Sequence, residues 1–111
     1  MVYRGKTMSE IRLLQDGDFS EEALKDVNRM AVLFESPWCQ GCHSVEAIIK
    51  ELIAEETSEC IWGKVDVSIE QELAQRFGIL SLPTLLVFSR GQIEKRMVGR
   101  ISKEKLRSAI K

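Results

Sequence analysis

The 111-residue chain has almost no net charge, a single histidine, three cysteines and no apolar run of membrane-spanning length. Each shortage excludes a class of function. Sixteen basic side chains against seventeen acidic ones leave a formal charge of -1, so no large field draws the chain to nucleic acid or to an anionic membrane. The opening Met-Val-Tyr-Arg-Gly-Lys-Thr-Met lacks the apolar core of a secretory signal, and a cytoplasmic protein is expected. Three cysteines are too few, and odd in number, for a fold stapled by disulfides; in a reducing compartment a close pair points to redox or metal chemistry. A zinc site needs four ligands, and Cys60 is not followed by a cysteine or histidine that would complete a second pair, so no metal is expected.

What is present reads as one ordinary globular domain over residues 1–111, with 44% apolar and 30% charged residues and no repeat or linker. Residues 11–14 form a short apolar strand ended by Asp16-Gly17-Asp18, and Phe19, Ala23, Leu24 and Val27 follow at helical spacing. Residues 31–34, Ala-Val-Leu-Phe, form a compact run bounded by Ser36-Pro37, as expected of a strand covered on both faces. Val45, Ile48, Ile49, Leu52 and Ile53 recur on one helical face, and Ile61, Gly63, Val65 and Val67 alternate as a third strand. Ser68 with Gln71 predicts a capping box opening a short helix, which Gly78 would close. Residues 84–88 and 93–98 flank Arg90-Gly91 as a hairpin, and a last helix starts at Ser102 and buries Leu106, Ala109 and Ile110. The order βαβαβαββα demands an α/β fold with a mixed sheet and helices on both faces.

Trp38-Cys39-Gln40-Gly41-Cys42-His43 falls where the buried strand meets the clearest helix. Unpaired amides and the positive end of the helix dipole stabilise a thiolate there, which makes Cys39 the expected nucleophile. Cys42, one turn on, is the expected resolving thiol, displacing the product from a mixed disulfide.

The chain resembles the thioredoxin family from about Ile11 to Ile110, on five ordered features: Phe34, Trp38-Cys39-x-x-Cys42, Lys64-Val-Asp66, Leu82-Pro83-Thr84 and Gly99. The resemblance implies the thioredoxin fold, with Pro83 in a cis peptide beside the cysteines. It also implies a docking groove made by Trp38, Gly41, Leu82, Pro83 and Gly99, with a positive rim from Arg100 and a substrate strand paired to the Leu82 backbone. The implied activity is reduction or exchange of disulfides in protein partners by a monomer without a bound cofactor. Its electrons would come from a thioredoxin reductase, flavin-dependent or ferredoxin-linked. A thioredoxin-fold binding or scaffold module with little turnover is the second expectation.

Three departures bear on the chemistry. Gln40-Gly41 replaces the family's usual Gly-Pro, which adds an amide near the sulfurs and predicts a less reducing couple. Leu33 stands where the family usually buries an aspartate that relays a proton to the resolving thiol, and this keeps the binding-module alternative open. Glu35 lies on the same strand face two residues on, and with Lys64 on the neighbouring strand it is the expected substitute base, the alternative being an exposed strand-end glutamate. Ala47 replaces a proline that usually kinks the helix, so a straighter helix is expected.

Cys39-x-x-Cys42-His43 also satisfies the c-type haem attachment motif. That reading requires export and leaves the other landmarks coincidental, so His43 is taken as an exposed first-turn residue. Cys60 is expected to be a small buried apolar group, and Trp62 to pack against a helix.

Overall fold

A computed structural model describes residues 10–55 and 59–111. The chain runs through β1 (Ile11–Leu13), a 3-10 turn (Asp16–Phe19), α1 (Glu21–Leu24), β2 (Met30–Glu35), α2 (Gln40–Glu55), β3 (Ile61–Asp66), α3 (Gln71–Arg76), β4 (Thr84–Ser89), β5 (Gln92–Val98) and α4 (Lys103–Ala109). The strands form one sheet in the order β1-β3-β2-β4-β5. β3 runs parallel to β1 and β2, whereas β4 is antiparallel to β2 and β5. This is the expected mixed sheet.

Side-chain alternation along β2 divides the core in two. Ala31 and Leu33 join Val45, Ile49 and Leu52 of α2 with Leu106 and Ala109 of α4 on one face. Met30, Val32 and Phe34 join Phe19, Leu24 and Leu73 on the other. Every β2 residue but Glu35 is buried, as a central strand between two helical layers requires. Trp62 and Cys60 are both buried in the α2 and α4 layer, as expected.

Local chemistry explains most boundaries. Arg90 and Gly91 both have positive φ, at 50° and 85°, as a two-residue I′ hairpin needs. Gly78, with φ of 65°, ends α3: its amide donates to the Gln75 carbonyl at 3.1 Å and that of Ile79 to Ala74 at 2.9 Å. α2 is one uninterrupted helix across Ala47, and Ser102 caps α4 by accepting from the Lys105 amide at 3.1 Å.

Two expectations need correction. The capping box of Ser68 and Gln71 does not form, because Asp66 captures the serine. Its Oδ1 accepts from the Ser68 hydroxyl at 2.6 Å and amide at 2.9 Å, and α3 starts after Glu70 without a side-chain cap. The expected helix from Phe19 to Val27 is split into the 3-10 turn and a single α turn, since Ser20 is extended and caps Ala23.

Gly63 has a packing reason. A Cβ placed there would lie 2.8 Å from Leu14 Cγ and collide with the same side chain's Cδ1, and Leu14 is itself buried. Gly63→Ala is therefore expected to destabilise the fold by about 1–3 kcal/mol through overpacking, read as a lower urea midpoint at unchanged m-value.

Candidate active site

Cys39 ends the loop after β2, and its amide donates to the Ser36 carbonyl at 3.2 Å. α2 begins at the next residue. The Cys42 amide donates to Cys39 Sγ and to the Cys39 carbonyl, both at 3.2 Å. Such donation, together with the positive end of a 16-residue helix, favours a thiolate on Cys39. The two sulfurs form a disulfide with Cα atoms 5.3 Å apart. Cys42 is fully buried and Cys39 half-buried, so the outer sulfur is the one a partner can reach.

The second wall comes from the loop before β4. The Leu82-Pro83 peptide is cis, as expected, and Pro83 is buried. A Cβ on Gly41 would lie 3.3 Å from Pro83 Cδ, so the cysteine turn and the proline loop are in contact. The Gly99 amide donates to the Pro83 carbonyl at 2.8 Å, and Gly99 adopts a φ of 85°. Trp38 stands 76% exposed beside Cys39, and Leu82 is half-buried beside Pro83. The structure thus brings Trp38, Gly41, Leu82, Pro83 and Gly99 together around the cysteines.

Leu33 is buried in the α2 layer, and Glu35 lies further along the same strand face at the edge of a cleft of about 480 Å³. Its side chain is only 14% exposed, which overturns the exposed strand-end alternative. Lys64 Nζ lies 3.8 Å from Glu35 and donates to Glu46 at 3.3 Å, while Lys50 lies 3.6 Å from Glu46. Burial pushes the Glu35 carboxyl up to about 7, aided by the charge and hydrogen bond of Glu46 and by Asp66, against the pull of Lys64. Burial also pushes Glu46 up, but Lys64, the hydrogen bond with Glu35 and the charge of Lys50 together outweigh it and hold that carboxyl below the usual range. The pair therefore has one acid poised near neutrality and one kept ionised.

Sequence reasoning missed Glu46 and Ser36. Glu46 contacts Glu35 only because α2 crosses β2; its spacing to Lys50 was the visible signal. Ser36 is buried, its Oγ has no hydrogen-bond partner among the described residues, and it lines the same cleft. His43 is exposed at the cleft edge. Burial pushes the Cys60 thiol up to about 12, so it stays protonated within the core.

A reachable sulfur at a helix start, disulfide-bonded to a buried one and faced by a cis-proline loop, defines a thiol-disulfide exchange protein. The thioredoxin family model matches residues 10–111. A thioredoxin from Mycobacterium tuberculosis is 33% identical over 84 residues, covering 76% of this chain and 72% of that protein. One from Buchnera aphidicola is 31% identical over 103 residues, covering 93% and 95%. A solved mutant thioredoxin from Halobacterium salinarum superposes with a TM-score of 0.83 at 25% identity, covering 94% and 90%. The chain belongs to the thioredoxin family and is a protein thiol-disulfide oxidoreductase. Among the described residues no helix is long and apolar enough to cross a membrane.

The position of Glu35 gives stability a pH dependence of known sign. Between its ordinary 4.5 and about 7 the folded state holds a proton that the unfolded chain has released, so Glu35 costs stability as pH rises through that window. Glu35→Gln should gain on the wild type between about pH 5 and about pH 8. Urea midpoints of the two oxidised proteins check this; a difference independent of pH contradicts it.

Proposed function

We propose that the chain is a monomeric, single-domain cytoplasmic reductant of protein disulfides, with Cys39 attacking and Cys42 resolving. The observation that carries this division is the inequality of the sulfurs: Cys39 is partly open and accepts the Cys42 amide at 3.2 Å, while Cys42 is sealed. The Cys39 thiolate attacks one sulfur of a partner disulfide, forming a mixed disulfide as the partner's S–S bond breaks; the released thiolate takes up a proton. Cys42 then attacks Cys39 Sγ. The second partner thiolate leaves, the Cys39-Cys42 disulfide closes, and two electrons have passed to the partner.

Glu35 takes the Cys42 proton in the second step, in company with Lys64. A water in the cleft links them. Trp38, Gly41, Leu82, Pro83 and Gly99 receive the partner's segment, and the Gln40-Gly41 turn gives a less reducing couple than a thioredoxin carrying Gly-Pro. A thioredoxin reductase, flavin-dependent or ferredoxin-linked, returns the electrons. A bifunctional thioredoxin reductase/thioredoxin from Mycobacterium leprae, 32% identical over 84 residues, supports that donor; the match covers 18% of that protein.

Insulin reduction with dithiothreitol tests the redox reading. The wild type should be faster than Cys39→Ser, and Cys42→Ser should retain a mixed disulfide on Cys39. A wild type no faster than Cys39→Ser would instead favour a binding module.

The proton path has its own readout. The wild-type rate of mixed-disulfide resolution should rise through about pH 7, where Glu35 ionises. Glu35→Gln should lose that inflection and slow by about tenfold or more near neutrality, below the ~10²–10⁴ of a directly placed base. Glu46→Gln removes a charge that raises Glu35 and should move the inflection down. An unchanged profile in Glu35→Gln rejects this role.

A further inference from the structure

On the side of the cysteines away from Glu35, a cleft of about 630 Å³ opens between α2 and α4. Gly41 forms its near end, beside Pro83, so it is continuous with the groove around the thiols. Val45, Ile48 and Ile101 line it with apolar surface, and among the described residues the only charged side chains lining it are Arg100 and Lys105. Both are exposed.

The neighbouring cations of α4 are already committed. Lys103 lies 3.0 Å from Glu51 and 2.8 Å from Glu55, and Arg107 lies 3.0 Å from Glu55 and 3.7 Å from Glu104. Arg100 and Lys105 make no ion pair among the described residues. In a chain with a formal charge of -1, a positive mouth beside the thiols is a local arrangement and not a reflection of bulk composition.

From this we infer that the cleft selects protein partners whose disulfide is flanked by an aspartate or glutamate, which Arg100 and Lys105 receive while the apolar floor takes the adjoining side chain. The inference rests on the thiol-exchange reading and adds the class of substrate to it. Rim charges of this kind act mainly on the association rate and weaken with salt.

Three peptides with the same internal disulfide, flanked by acidic, neutral or basic residues, test it. The measurement is the rate at which Cys42→Ser forms its mixed disulfide with each at low and at high salt. The acidic peptide should react roughly five- to tenfold faster than the basic one, a gap that narrows in high salt, as two exposed ion pairs allow. In Cys42→Ser carrying Arg100→Gln and Lys105→Gln, the acidic-to-basic ratio should fall towards one. Equal rates for acidic and basic peptides overturn the inference and leave the redox reading standing, as does a ratio that survives the two substitutions. Failure to react with any of the three overturns the thiol-exchange reading and this inference with it.

Discussion

The hydrogen-bonded ladders of β2 set the position of every group in the site. Pairing in parallel with β3 and antiparallel with β4 fixes the strand's pleat, so Leu33 and Glu35 must face α2 while Phe34 faces the opposite layer. The same register aligns Glu35 with Asp66 and Leu33 with Lys64 on β3, bringing the lysine between the strand and α2. A one-residue slip would turn the glutamate into the aromatic layer and the phenylalanine towards α2. The loop that follows this strand then delivers Cys39 to the start of the helix.

A carboxyl group meets different physics at residue 33 and at residue 35, although both positions share one strand face. Two residues along a strand move a side chain about 7 Å, here from the fully buried centre towards the mouth of a cleft. An ionised carboxylate in the core would cost several kcal/mol before any partner offset it. Leucine there instead contributes about 1.5–3 kcal/mol of burial. At the mouth, Glu35 is buried enough for its proton affinity to rise, yet open enough to share Lys64 with Glu46. One lysine between two carboxylates divides their roles: the acid with the closer ammonium contact stays ionised, and the other stays near neutrality.

The legible parts of the molecule were those decided by local pattern. The alternation of β3, the apolar stripe of α2, the Arg90-Gly91 turn and the Cys-x-x-Cys spacing each depend on neighbours a few residues away, and each appears where periodicity puts it. Ser68 shows why a local pattern can mislead. Its spacing to Gln71 satisfies a capping box, but Asp66, the last residue of β3, offers a charged acceptor two residues before it, which wins. Phe19 to Val27 failed for a related reason, since Ser20 is a better cap than an interior helical residue. Glu46 was illegible because its meaning lies across the fold. Its contact with Lys64 spans 18 residues of sequence, and nothing near it in the chain announces a carboxylate partner on β2.

The two sides of α2 present opposite chemistry to the same disulfide. Towards β3, Glu35 and Glu46 surround Lys64 and place a carboxyl that titrates near neutrality in the cleft. Towards α4, Glu51 and Glu55 occupy Lys103 and Arg107, and Arg100 and Lys105 are left facing the cleft. Both arrangements draw acids from one helix, since Glu46, Glu51 and Glu55 all belong to α2, with Glu35 added from β2. Because residues four apart on a helix share a face whereas residues five apart point about 140° apart, Glu51 and Glu55 bind the cations of α4 on one flank while Glu46 meets Lys64 on the other. The buried stripe of Val45, Ile49 and Leu52 between them holds the helix in place. Cys42 extends that stripe to the first turn, so the packing that orients both charged flanks also fixes the inner sulfur.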